Sequence, residues 1–92
     1  MTLATRVTVP ERVLFRDLAG EAVLLDLESG QYFGLNATGT RMWSLLAQHR
    51  QIEPALLCLL EEFDAPRERI QAEFLEFVGT LASRKLLELR DD

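Results

Sequence analysis

Glu21-Ala-Val-Leu-Leu-Asp-Leu-Glu-Ser-Gly-Gln-Tyr-Phe-Gly-Leu-Asn-Ala-Thr-Gly-Thr-Arg-Met-Trp-Ser-Leu-Leu46 is the stretch that decides the fold. From Glu21 to Leu27 the side chains alternate with a period of two. Val23, Leu25 and Leu27 share one face, and Ala22, Leu24 and Asp26 the other. Both faces are largely apolar, which predicts a strand that is central or covered on both sides. Glu28-Ser29-Gly30 forms a short loop in which Gly30 supplies the positive φ of a hairpin. Gln31 to Leu35 returns antiparallel, with Gln31, Phe33 and Leu35 pointing one way and Tyr32 and Gly34 the other. Asn36 is a helix N-cap, because its side-chain oxygen can accept from a free first-turn N–H. The helix over Ala37 to Gln48 turns Gly39, Met42, Trp43 and Leu46 inward at helical spacing. Gly39 is a weak helix former, and its predicted use is close packing against the hairpin.

Upstream, Met1 to Pro10 reads as a loose arm with β character at Val7 to Val9, and Pro10 interrupts any ladder. Val13 to Leu18 is a short strand, and Ala19-Gly20 turns it into the hairpin. Downstream, a second helix runs from Glu53 to Phe63, with Pro54 in its first turn and Ile52, Leu56, Leu60 and Phe63 inward. Asp64-Ala65-Pro66 breaks the chain and opens a third helix over Arg67 to Ser83. Ile70, Phe74, Phe77, Val78 and Leu81 form its core stripe. Beside that stripe lies an uncharged flank of Gln71, Leu75, Val78 and Ala82, continued by Leu86. A plain surface helix needs one apolar face, and this one has two. Either the tail Leu86-Leu87-Glu88-Leu89 folds back over the flank, or the flank is the wall of a groove.

The 92 residues fit one domain, residues 1–92, with a small core. Apolar residues are 48% and charged residues 27%, the balance of a globular chain and not of a disordered one. The longest apolar run, Ala55 to Leu60, is too short to span a bilayer, and Met1 to Pro10 lacks the apolar core of a signal peptide. A cytoplasmic protein with no membrane partner is expected. Ten basic residues are scattered against 15 acidic ones, a formal charge of −5. Nucleic acid requires a basic patch that releases counterions, and none is present, so no nucleic-acid partner is expected.

No catalytic set is visible. Cys58 stands alone in Ala-Leu-Leu-Cys-Leu-Leu and reads as a buried structural thiol. His49 stands alone at a polar helix end, where a cation suits the dipole. Asp26 and Glu28 flank the hairpin as solvated carboxylates, the serines have no histidine partner, and Gly34 and Gly39 make no phosphate-binding fingerprint. The chain is expected to be non-catalytic, with no cofactor and no metal.

Gly20-Glu-Ala-Val-Leu-Leu-Asp26, Gly30-Gln-Tyr-Phe-Gly-Leu-Asn36 and Thr38-Gly-Thr-Arg-Met-Trp43 together resemble the PqqD family, and most closely its stand-alone members in lasso-peptide pathways. The likeness extends over about residues 7 to 89 and includes Phe63-Asp64 and Phe77 to Leu87. It implies an α+β fold: a winged helix-turn-helix with a three-stranded antiparallel sheet packed on three helices. It also implies a non-catalytic recognition element. Such an element binds the leader segment of a ribosomally made precursor peptide and presents it to a leader peptidase and an ATP-dependent macrocyclase.

In that family the leader adds as a strand beside the third strand and lies against the third helix. Carried onto this chain, the edge is Gln31, Tyr32, Phe33, Gly34 and Leu35. The other wall is Gln71, Leu75, Val78 and Ala82, with Arg84 and Lys85 at the rim. Strand addition draws affinity from unpaired backbone groups and selectivity from side-chain pockets, which suits a hairpin edge containing Gly34. Three other readings stand beside this one: a PqqD-like peptide chaperone for a radical SAM enzyme, a winged-helix DNA-binding regulator, and a purely structural subunit. The third helix carries Glu68, Glu73 and Glu76 beside Arg67 and Arg69, which disfavours DNA.

Overall fold

The computed structural model describes residues 1–91. Its elements, in chain order, are β1 (Arg6–Thr8), β2 (Val13–Leu18), β3 (Glu21–Asp26), β4 (Tyr32–Leu35), α1 (Ala37–His49), α2 (Ile52–Glu62), α3 (Arg67–Ser83) and β5 (Glu88–Arg90). The result is an α+β fold of three helices, a three-stranded antiparallel sheet and a two-stranded sheet.

The larger sheet has the order β2-β3-β4. Ala19 (φ 58°) and Gly20 (φ 91°) form a two-residue loop of left-handed residues, which matches the twist of the strands it joins. Gly30 (φ 75°) does the same in the second loop. Central β3 keeps Ala22 and Leu24 buried. Val23 and Leu25 are half-buried on its other face, because the sheet's neighbouring strands shelter them and no layer covers that face. Leu27 lies outside the strand and is exposed, donating its N–H to the Arg12 carbonyl.

The expected loose arm is a strand. β1 pairs with β5 in the register Arg6↔Arg90, Val7↔Leu89 and Thr8↔Glu88. The arm also completes α2, whose N-cap residue Gln51 makes no side-chain cap bond. The free N–H groups of Ile52 and Glu53 donate instead to the carbonyls of Thr5 (3.1 Å) and Leu3 (3.0 Å). Thr5 is fully buried, and its hydroxyl bonds the Asp91 carboxylate.

α1 packs on the inner face of the larger sheet, α2 packs on α1, and α3 packs on α2. Phe74, Leu24, Leu45, Leu46, Ile52, Leu56, Leu59 and Leu81 are the largest fully buried side chains. Trp43 is 3% exposed and stacks on Phe15 with ring centroids 6.5 Å apart. In α2 the inward residues are Ile52, Ala55, Leu56 and Leu59, while Leu60 and Phe63 are half-buried. Cys58 is half-buried, not buried as expected, with its Sγ 3.5 Å from His49 Nε2. Asn36 caps α1 as its residue type predicts, accepting from the Gly39 N–H at 2.8 Å. No helix among the described residues is long and apolar enough to cross a membrane.

Phe74 is 0% exposed at the centre of this packing. Phe74→Ala is expected to cost about 3–5 kcal/mol, from lost transfer energy and the cavity left behind. Leu75→Ala, at a half-buried position, should cost less than half as much. Equilibrium urea unfolding of both variants tests this.

Candidate functional site

The larger sheet has two free edges, and their sequences differ. β2 carries exposed Arg16 and Asp17, charges of the kind that discourage edge-to-edge pairing. β4 is Tyr-Phe-Gly-Leu, with no charge and no proline. Its backbone is also presented for pairing. Asp26 N–H donates to the Gln31 carbonyl at 2.9 Å, and bonded pairs alternate along an antiparallel ladder. Phe33 and Leu35 therefore face β3, whereas the N–H and C=O groups of Tyr32 and Gly34 point away from it. Tyr32 is 76% exposed, and a Cβ added at Gly34 would meet nothing within 4 Å.

The side chains of β4 alternate about this edge. Leu35 is buried and Phe33 half-buried on the inner face, while Tyr32 and Gly34 lie on the outer face. A cavity of about 440 Å³ runs beside the inner face, lined by Phe33, Gly34, Leu35, Thr38, Met42, Glu73 and Phe77. Gly39 forms its floor. A Cβ there would stand 3.4 Å from Phe77 Cε1 and 3.6 Å from Leu35 Cβ, ordinary contact distances, and 3.3 Å from Asn36 Oδ1, so α1, α3 and β4 meet at this residue and a methyl group would crowd only the cap. This convergence involves the third helix as well as the hairpin contact that the sequence predicts.

The face of α3 that meets β4 is therefore that of Glu73 and Phe77, continued by Arg84 just past the helix end. The Arg84 guanidinium sits 5.1 Å from the centroid of the Phe33 ring. Of the expected wall, Val78 is fully buried in the core and offers no surface. Gln71 and Leu75 line a separate hollow with Arg67, Glu68 and Ala72. At about 100° per residue, the Gln71–Leu75 flank lies roughly 160° around the helix from Glu73 and Phe77. Ala82 and Lys85 lie with Arg12, Gln31 and Leu87 around another cavity, beyond the start of β4. The structure thus brings Gln31, Tyr32, Phe33, Gly34 and Leu35 together and sets Gln71 and Leu75 apart from them. The tail does not cover that flank: Leu86 and Leu87 are buried in the core, and β5 pairs with β1.

A helix-ending motif positions Arg84. Leu86 N–H donates to the Leu81 carbonyl and Lys85 N–H to the Ala82 carbonyl, the two bonds of a Schellman cap. Lys85 takes the left-handed conformation that this motif demands (φ 61°), and its carbonyl accepts from Arg12 Nη2 at 2.5 Å. Glu73, Phe77 and Arg84 share one stripe by their spacing, yet the sequence also assigns Phe77 to the core. The uncharged flank to which the sequence draws attention lies on the side of α3 away from β4.

Asp26 organises the hairpin beside this edge. The Glu28 amide donates to its carboxylate at 3.0 Å, and Arg12 Nε lies 3.4 Å away. The backbone bond from Glu28 is the chief cause that holds its pKa below the ordinary 3.8, with Ser29 and Arg12 acting in the same direction. The carboxylate's contribution to hairpin order is complete above that ordinary value and is lost as pH falls through the lowered one. Among the described residues no cluster of three His, Cys, Asp or Glu side chains could hold a metal. In a pH titration followed by NMR, Asp26 should titrate below 3.8. The Glu28 amide shift should follow the same curve.

A search of the curated proteins finds no match to this chain. Among solved structures, TbiB1 in complex with the TbiA(beta) leader peptide matches with a TM-score of 0.83 and 33% identity. The match covers 91% of this chain and 98% of that one. Lasso peptide synthetase B1, complexed with the leader peptide, matches with a TM-score of 0.80 over 90% of this chain and 98% of that one. At 19% identity that second likeness speaks for the fold alone. The family model described as coenzyme PQQ synthesis protein D (PqqD) matches residues 21–87, and with TbiB1 a third identical, the chain belongs to the PqqD family.

Proposed function

We propose that this chain is a non-catalytic adaptor that binds the leader segment of a ribosomally synthesised precursor peptide by strand addition to β4. The free β4 edge, flanked by the groove against α3, is the observation that carries this reading. A peptide in the groove would pair with the outward backbone groups of Tyr32 and Gly34 and set alternate side chains against Phe33, Leu35 and Phe77. TbiB1, a third identical to this chain and solved in complex with a leader peptide, supports leader binding. The fold is then a winged helix-turn-helix whose hairpin serves peptide and not DNA, and residues 1–92 act as one recognition domain. We place it in lasso-peptide maturation in the cytoplasm, presenting its precursor to a leader peptidase and a macrocyclase.

Fluorescence polarisation with a labelled synthetic leader, taken from a short precursor gene beside the chain's own, tests the proposal. Saturable binding is expected. Gly34→Pro removes an outward N–H while leaving the bonds of Phe33 and Leu35 to β3 in place, at the cost of a fixed φ, and Phe77→Glu puts a charge into the groove. Each should weaken binding by about tenfold or more while thermal unfolding stays cooperative. Leu75→Glu, on the far flank of α3, should leave affinity within about twofold. Binding that ignores Gly34→Pro would overturn strand addition, and sensitivity to Leu75→Glu would move the groove to the other side of the helix.

A further inference from the structure

The groove beside β4 carries unlike charges at its two ends. At the Leu35 end stands Glu73, whose carboxylate meets Arg69 one turn earlier at 3.4 Å. Both side chains of that pair are more than half exposed, so it leaves the carboxylate available. At the Tyr32 end stands Arg84, lining a small cavity of about 120 Å³ with Gln31, Tyr32 and Phe33. Asp26 also lines that cavity, but its carboxylate already serves the Glu28 amide and Arg12. Arg84 rests on the Phe33 ring instead. A cation on an aromatic face keeps its N–H donors free for an incoming anion.

The direction of the bound strand follows from the sheet. Every pairing in the sheet is antiparallel, and a further antiparallel strand continues its hydrogen-bond pattern. An antiparallel peptide enters with its amino end beside Leu35 and Glu73 and leaves with its carboxyl end beside Tyr32 and Arg84. From Glu73 to Arg84 is about 16 Å along the helix axis at ~1.5 Å per residue. An extended peptide covers that length in about five residues at ~3.3 Å each.

We propose that this groove selects its peptide by charge order. A cationic side chain sits toward the amino end of the bound segment, against Glu73. An anionic one sits about four to six residues later, against Arg84. This rests on the strand-addition reading and adds the chemistry of the ligand to it. The reversed order places like charges together at both ends, so the two rim residues also fix the orientation and register of an otherwise sequence-tolerant backbone pairing.

The test needs no identified precursor. A displayed library of random 14-residue peptides is selected on the full chain at low salt, and recovered peptides are assayed on wild type, Gly34→Pro, Arg84→Lys and the double variant Glu73→Arg/Arg84→Glu. Recovered peptides that lose binding to Gly34→Pro should carry Lys or Arg ahead of Asp or Glu at the stated spacing. Arg84→Lys should keep that preference. The double variant should bind them about tenfold more weakly, select the reversed order, and lose the difference as salt rises. Peptides that depend on Gly34 but show no charge order, or the same order on the double variant, overturn the charge-order proposal and leave strand addition standing. Peptides indifferent to Gly34→Pro, or no recovered peptides, overturn both.

Discussion

The rotation of α3 about its own axis is the constraint on which the rest depends. Ile70, Phe74, Val78 and Leu81 are buried together, and a helix seated by four such residues cannot turn without exposing them. That seating decides which side chains look toward β4. It delivers Phe77 to the groove and Glu73 and Arg84 to its ends, and it sends Gln71 and Leu75 to the opposite flank. Gly39 lies at the same junction, where a Cβ would touch Phe77 and Leu35 at ordinary contact distances and press only on the capping oxygen of Asn36. The groove beside β4 is thus a by-product of core packing.

Elements made by local patterns were legible in the sequence. The span of α3 was readable from Pro66 and its apolar repeat, α1 from the Asn36 cap, and the two hairpins from glycine-bearing turns. The β1–β5 pair was not. Its partners lie eighty or more residues apart in the chain, and two three-residue strands carry too little alternation to announce each other. The arm's service to α2 was hidden for the same reason: Thr5 and Leu3 contribute backbone carbonyls, which no side-chain pattern reports.

The geometry around the candidate site was half legible. The β4 strand could be read because it follows the central strand and ends at the Asn36 cap. The side of α3 that meets it could not, because the core stripe of α3 has a flank on each side and periodicity does not say which flank meets the sheet. The uncharged flank faces away from β4, and the structure turns toward that strand a stripe with Phe77 at its centre and Glu73 and Arg84 at its ends.

An unguarded strand edge is also a colloidal hazard. The guards that other proteins place on such a strand would obstruct a peptide here, so protection has to come from elsewhere. The formal charge of −5 supplies it, holding copies apart by general repulsion without touching the edge. That repulsion fades toward the isoelectric point near 4.8. The free protein's solubility and its ligand's access are therefore governed by one exposed strand, and occupancy by a peptide should act as a solubiliser in its own right.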